Sequence, residues 1–298
     1  GAIMERVDFR KTGKMISPVG VGTYYDPSWI AMAKLTGIRK DRERRTEAIR
    51  TAIESGINFI DTAEMYETEP MVKDAIENTK REDLFIATKV LPSHYSYDKL
   101  INSCEKSLKK LGTDYIDLYQ LHMQSSNEKI KDALRAMEYL ADQGRIKFIG
   151  ISNFDLEHTK MAKEWLKKYD LESTQMNFNV AHRNIESDIV PYCKENNIAI
   201  LAYFPLAHGK LTSASDNGKK IIAEISKNHG PKTLPQIVLN WFISKYDFVY
   251  PIPRASNPDH VRENAGAMGW RMNQDEIEML EDAVREIKAT TWFGDHTT

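Results

Sequence analysis

The chain has 298 residues, 41% hydrophobic and 28% charged, the ordinary balance of a soluble globular protein. A formal net charge of -2 gives no electrostatic footprint for nucleic acid or an anionic membrane, and no apolar run approaches the ~20 residues that span a bilayer. No secretory leader is visible at the start, and both cysteines, Cys104 and Cys193, fall in helix-like segments, so the composition predicts a cytoplasmic protein with reduced thiols.

Residues 1–3, ahead of Met4, read as a cloning remnant and are set aside. Thr12-Gly13-Lys14 between the apolar runs 7–9 and 15–17 predicts a β-hairpin. After Pro18, the stretch 19–23 predicts a strand whose glycines let another backbone or a ligand come close. On its own, Gly22-Thr23 reads equally well as a tight strand end. The charged run 39–45 predicts a solvated helix start or loop, and Ala48, Ile49, Ala52 and Ile53 recur at helical spacing up to a stop at Gly56.

Strand and helix then alternate. Strand 57–61 precedes a helix around 71–76, and strand 84–89 precedes a helix over 100–111 closed by Gly112. Strand 115–121 ends at His122 and leads to a helix over 128–143 stopped by Gly144. Strand 146–152 is followed by a helix opening at Asp155, a good N-cap residue, and strand 173–177 by a helix over 185–196. Strand 198–203 runs into a long polar loop and helices over 219–229 and 235–245. Strand 248–252, a helix over 258–268, an amphipathic helix over 274–288 and a tail over 289–298 complete the chain.

Eight strand–helix units in this length predict one α/β domain over 1–298: a closed (β/α)8 TIM barrel with an N-terminal β-hairpin and a C-terminal helix and tail. Three polar residues, Asp61, Lys89 and His122, end successive strands, and Tyr66 follows five residues after the first. Singly, each has a plain structural explanation: an ion pair, a hydrogen-bonded histidine, a packed tyrosine. Together they fall at the C-terminal strand ends, the face on which such barrels carry their sites. A phenol is a poor proton donor at neutral pH unless a cation lowers its pKa, and Lys89 is the expected cation, kept charged by Asp61. Tyr66 would then protonate an oxygen that turns negative as a carbonyl is reduced, with His122 orienting that oxygen. The hydride must come from a cofactor, because no side chain delivers one.

The segments Asp61-Thr62-Ala63-Glu64-Met65-Tyr66, Thr88-Lys89-Val90 and Leu121-His122 resemble the signatures of the aldo-keto reductase family, in the same order. The resemblance runs from the hairpin to about Gly269 and implies a catalytic set of Asp61, Tyr66, Lys89 and His122 using NADP(H). It also implies a cofactor site. Gly22, Thr23 and Asp61 would line it, Ser152, Asn153 and Gln175 would hold the nicotinamide carboxamide, and Tyr203 would stack on the ring beside Phe204. Leu206, Gly209 and Lys210 would strap the pyrophosphate. Arg254 and His260 would meet the adenosine phosphate, and Glu263 and Asn264 the adenine. His260 stands where many members carry arginine, and Arg254 where many carry glycine, which leaves NAD(H) open as a second cofactor. No G-x-G-x-x-G fingerprint or metal-ligand spacing is present.

Tyr24, Tyr25, Trp29, Tyr66, Tyr95, His122, Met123 and Phe154 are expected around a substrate pocket, with Trp292-Phe293 folding over its mouth; packing under loops explains most of these aromatics equally well. The expected activity is NADPH-dependent reduction of aldehydes or ketones to alcohols. The alternative is a cofactor-binding regulatory subunit with little turnover, like the family's potassium-channel β-subunits. A metal-dependent barrel hydrolase is the weaker third reading, since the first strand has no His-x-His pair. The expected partner is a small carbonyl compound, with no nucleic acid, membrane or metal.

Overall fold

A computed structural model describes residues 3–206 and 211–290, with side chains described up to residue 286. β1 (Val7–Asp8) and β2 (Met15–Ile16) form the expected hairpin, turned through Gly13 at φ +86°. Eight parallel strands follow in sequential order: β3 (Val21–Gly22), β4 (Phe59–Asp61), β5 (Phe85–Val90), β6 (Ile116–Leu121), β7 (Ile146–Ser152), β8 (Leu171–Asn177), β9 (Ala199–Tyr203) and β10 (Val249–Pro251). Gly22 bridges to Arg254, and the amides of Gly20 and Gly22 donate to Pro251 O and Pro253 O at 2.9 Å, which joins the last strand to the first. The expected (β/α)8 barrel is the fold observed.

The alternation within each strand sorts the core into two layers. Phe59, Phe85, Ala87, Leu118, Ala199, Leu201, Tyr250 and Ile252 point inward and pack with Phe9 and Ile16 of the hairpin. Phe9 lies 4.9 Å from the Phe85 ring and 5.8 Å from Tyr250, so the hairpin plugs one end of the barrel. The intervening residues, such as Ile60, Ile86, Tyr119, Ile149 and Ile200, point outward into the layer shared with the helices. Space inside is tight: a Cβ on Gly150 would run into Ser173 Oγ, and one on Gly20 would sit 2.9 Å from the Phe59 ring. Continuing the inward register toward the open end brings up Asp61, Lys89, Gln120, His122 and Gln175. The fold therefore gives apolar residues to the plugged end and polar ones to the open end.

The helices are α1 (Pro27–Thr36), α2 (Arg42–Glu54), α3 (Glu69–Ile76), α4 (Tyr97–Leu111), α5 (Asn127–Asp142), α6 (Leu156–Trp165), α7 (Ile189–Glu195), α8 (Asp216–His229), α9 (Leu234–Lys245), α10 (Pro258–Ala265) and α11 (Gln274–Thr290). α1 was not expected. Its apolar residues lie on both faces, with Trp29 and Ala33 buried but Met32 and Leu35 exposed, so no helical period marks it. The charged run begins as a turn and becomes α2 from Arg42 onward. Ile3, set aside with the leading residues, donates its amide to Ser55 O and packs against the outer core.

Candidate active site

The first strand end is fixed from several sides. Asp61 closes β4, and Thr23 Oγ1 donates to its backbone oxygen at 3.2 Å while bonding Thr68 Oγ1 at 2.8 Å. Tyr66 stands on a 3-10 turn, Glu64–Tyr66. Glu64 Oε1 accepts the Leu91 amide at 2.7 Å, which ties that turn to the chain leaving β5. Lys89 lies in β5, and His122 directly follows β6, its amide donating to Val90 O at 3.0 Å.

These supports bring Asp61, Tyr66, Lys89 and His122 together. Lys89 is fully buried, and its Nζ donates to Asp61 Oδ2 at 2.6 Å, Thr62 O at 3.0 Å and Tyr66 Oη at 3.2 Å. All three hydrogens of the ammonium are thereby used. The His122 ring stands edge-on to Tyr66, centroids 5.6 Å apart. Its Nδ1 is buried and has no hydrogen-bond partner among the described residues.

Burial alone would pull the Lys89 ammonium down, but Asp61 and Tyr66 outweigh it and hold its pKa above that of an ordinary lysine. The expected lowering of Tyr66 is corrected. Burial pushes its phenol up, Lys89 draws it down, and Asp61 behind the lysine pushes it up again, for a net rise. The cation is real, but burial outweighs it and Asp61 offsets part of its charge. His122 is lowered to about 3 by burial and the Lys89 charge, so it is neutral at ordinary pH.

A cavity of about 360 Å³ opens beside Asp61 and Tyr66 and runs to Arg254, His260, Glu263 and Asn264. Gly22, Thr23, Tyr24, Gln175, Tyr203, Phe204 and Leu206 line the stretch between. Ser152 and Asn153 lie beside this lining. Ser152 Oγ donates to Gln175 O at 3.1 Å, and Tyr203 Oη donates to Asn153 Oδ1 at 2.6 Å. Asn153 and Phe204 both hold positive φ, +58° and +50°. Gly209, Lys210, Trp292 and Phe293 fall outside the described residues.

Several expected pocket aromatics sit elsewhere. Tyr95 is fully buried, with its hydroxyl donated to Met123 O at 2.5 Å, and it does not line the cavity. Tyr25 donates to Ala255 O at 2.6 Å, and Trp29 donates to Lys40 O at 2.8 Å. Phe154 is fully buried in the outer core. Conversely, Gln120 is a site residue that the sequence motifs do not mark. Its Nε2 donates to Asp61 Oδ1 at 3.1 Å, as Gln175 Nε2 does at 3.0 Å, so the carboxylate faces Lys89 with one oxygen and two amides with the other. The signal was an amide side chain within an otherwise apolar inward register, Leu118 then Gln120. Pro205, Pro235, Ile252, Pro253 and Ser256 also line the cavity.

The arrangement is a buried phenol held by a charged lysine at the mouth of a parallel barrel, beside a long cavity. The sequence model described as the Aldo/keto reductase family matches residues 31–285, and the chain belongs to that family. Its relatives include methylglyoxal reductase YeaE of Escherichia coli (strain K12), 34% identical over 254 residues, or 84% of this chain and 88% of the relative. A solved thermostable aldo-keto reductase, Tm1743, in complex with the inhibitor epalrestat, is similar at a TM-score of 0.80 with 34% identity, covering 94% of this chain and 100% of that one. The aldo/keto reductase of Klebsiella pneumoniae in complex with NADP and acetate is similar at a TM-score of 0.77 with 29% identity, covering 94% and 95%.

Proposed function

We propose that this chain reduces the carbonyl of small aldehydes or ketones to an alcohol with NADPH. The observation that carries the reading is the contact of Lys89 Nζ with both Asp61 Oδ2 and Tyr66 Oη at the cavity's inner end. The cavity suits an elongated anionic dinucleotide, with polar amides at its inner end and a guanidinium at its outer end. At Gly22 an added Cβ would come within 3.3 Å of Ile252 O, so the floor there has no room for a side chain. Ser152, Asn153 and Gln175 would hold the carboxamide, and Tyr203 the ring face. Leu206, with Gly209 and Lys210, would hold the pyrophosphate. Arg254 and His260 would hold the adenosine phosphate, and Glu263 and Asn264 the adenine.

A bound nicotinamide supplies the hydride to the carbonyl carbon. The chain's own task is the oxygen. Neutral His122 offers a ring nitrogen to that oxygen and orients it, and Tyr66 Oη hands it a proton as negative charge builds. A phenol of raised pKa stays protonated through the neutral range, so the acid is always loaded. A phenol is intrinsically a stronger acid than an alcohol, and the Lys89 charge beside it favours the transfer as alkoxide character builds. Lys89 stabilises the phenolate left behind, and Asp61 with Gln120 keeps the lysine placed.

Methylglyoxal, the compound in the Escherichia coli relative's name, makes 2-oxoaldehydes the first substrates to try. NADP(H) is the preferred cofactor, with NAD(H) as a second. Both cysteines are free and buried, with thiols pushed up to about 12 by burial, which suits one domain working in a reducing cytoplasm. The test is Tyr66→Phe. NADPH binding by fluorescence quenching should persist, while kcat with an aldehyde falls on the order of 10²–10⁴-fold. Turnover within a few-fold of wild type would remove Tyr66 from the reaction.

A further inference from the structure

Asp26 is the residue on which α1 begins, and its backbone is strained, at φ +93° and ψ +147°. Non-glycine residues hold positive φ only where their surroundings impose it, and such positions gather at functional sites. Capping does not explain this one, because the Asp26 side chain accepts no hydrogen bond from an amide of α1. Its Oδ1 instead accepts at 3.4 Å from Nη2 of Arg254, a cavity-lining residue 228 positions away. Arg254 lines the cavity with Glu263 and Asn264, and its guanidinium lies 5.7 Å from the Tyr24 ring centroid. Tyr24 in turn stands edge-on to Tyr66 at 5.3 Å. A second cation, Arg45, stacks on Tyr25 at 4.3 Å and feels the charges of both Asp26 and Arg254.

A carboxylate favours a ribose hydroxyl in a dinucleotide site, whereas an arginine favours a phosphate there. Here the two stand together, one paired to the other. We infer that Asp26 competes with the cofactor's phosphate for Arg254 and so weakens this chain's preference for NADP(H) over NAD(H). This deepens the function proposed above and rests on it. A phosphate dianion reaching Arg254 must displace the carboxylate and then lie close to it, so part of the attraction is lost to like-charge repulsion. NAD(H) has only a hydroxyl at that place and leaves the pair intact. With side chains 38% and 58% exposed, the pair is weak enough to yield. Asp26 therefore acts as a specificity-determining residue that need never touch the reacting atoms.

The test is a set of fluorescence-quenching titrations of the full chain with NADPH and with NADH. Asp26→Asn is the first variant, because it keeps the side chain's shape and removes only its charge. It should tighten NADPH by about two- to fivefold, the scale of an exposed ion pair, and change NADH by less than about twofold. Arg254→Gln should weaken NADPH alone, and on that background Asp26→Asn should give less than about half its former gain. Asp26→Gly, which holds positive φ without strain, should shift the NADPH-to-NADH ratio as asparagine does. If Asp26→Asn moves both dinucleotides equally or neither, or if asparagine and glycine disagree, the competition is refuted. If wild-type protein binds neither dinucleotide, the proposed function falls and takes this inference with it. Tight NADPH binding with no response at Asp26 overturns the inference alone.

Discussion

At the inner end of the cavity, Lys89 is fully buried and touches three oxygens between 2.6 and 3.2 Å. At the outer end, Arg254 is 38% exposed and reaches one carboxylate oxygen, at 3.4 Å. Both are cation–carboxylate pairs between distant segments of one barrel rim. The inner pair is over-determined: Asp61 is also held by Gln120 and Gln175, and Tyr66 by a turn tied to Leu91. The outer pair joins two half-exposed side chains by a single contact, although the Arg254 backbone is fixed by its bridge to Gly22. A group that must keep one position through a reaction is built into strands and satisfied completely. A group that must let go of one anion to take another is left on the surface with a weak partner. On the reading proposed above, chemistry and cofactor preference would be separated by how tightly each end is packed.

The strongest way to break this contrast is Lys89→Met. Removing one partner of a buried pair leaves Asp61 uncompensated, at a cost of about 3–5 kcal/mol. Chemical denaturation should therefore show a large fall in midpoint, together with loss of carbonyl reduction. Adding Asp61→Asn should recover much of the stability, since an amide oxygen still accepts from Gln120 and Gln175, but none of the activity. If Lys89→Met unfolds at the wild-type midpoint, the inner end is not the satisfied cluster described.

Gln120→Leu should have an intermediate effect. It removes one donor to Asp61 and leaves Gln175 Nε2 without its acceptor Gln120 Oε1, 3.1 Å away. A loss of about 1–3 kcal/mol in denaturant unfolding is expected, with NADPH binding retained. A neutral result would mean that Gln175 alone satisfies the carboxylate.

Gln120 also marks how far the sequence could be read. The barrel was legible because apolar strands alternate with amphipathic helices, and because glycines stop α4 and α5 at Gly112 and Gly144, both at positive φ. Asp61, Lys89 and His122 at neighbouring strand ends, with Tyr66 on the turn after the first, followed from that alternation and from the family signatures. α1 was not legible, since its apolar residues face both ways. Nor were the depths of Tyr25, Tyr95 and Phe154, because an aromatic near a strand end reads the same whether it lines a cavity or lies under a loop. The rise of the Tyr66 pKa depended on burial and on the opposing charges of Lys89 and Asp61, none of which spacing reveals. The pairing of Asp26 with Arg254 is a closure contact of the ring, visible only once the last strand meets the first.

The smallest expected effect is an absence of response, in the pH dependence of reduction. His122 is lowered to about 3, while Lys89 and Tyr66 both lie above their ordinary values. None of the three changes charge between pH 5 and 9, so kcat/KM for an uncharged aldehyde should stay within about twofold over that window. The stability of the fold behaves differently on the acid side. Below about 6.5 the unfolded chain protonates its histidine, while the folded chain refuses that proton until about 3, so His122 makes stability fall as pH drops through this interval. Lys89 acts at the other extreme: its contribution is whole below the ordinary lysine pKa and is lost only as pH rises through its higher folded value. Acid should therefore weaken the protein before it slows the surviving folded enzyme. A limb in kcat/KM near 6.5, with the fold intact by circular dichroism, would show His122 titrating in place. The inner end would then be as open to water as the outer one, and the contrast between them would be lost.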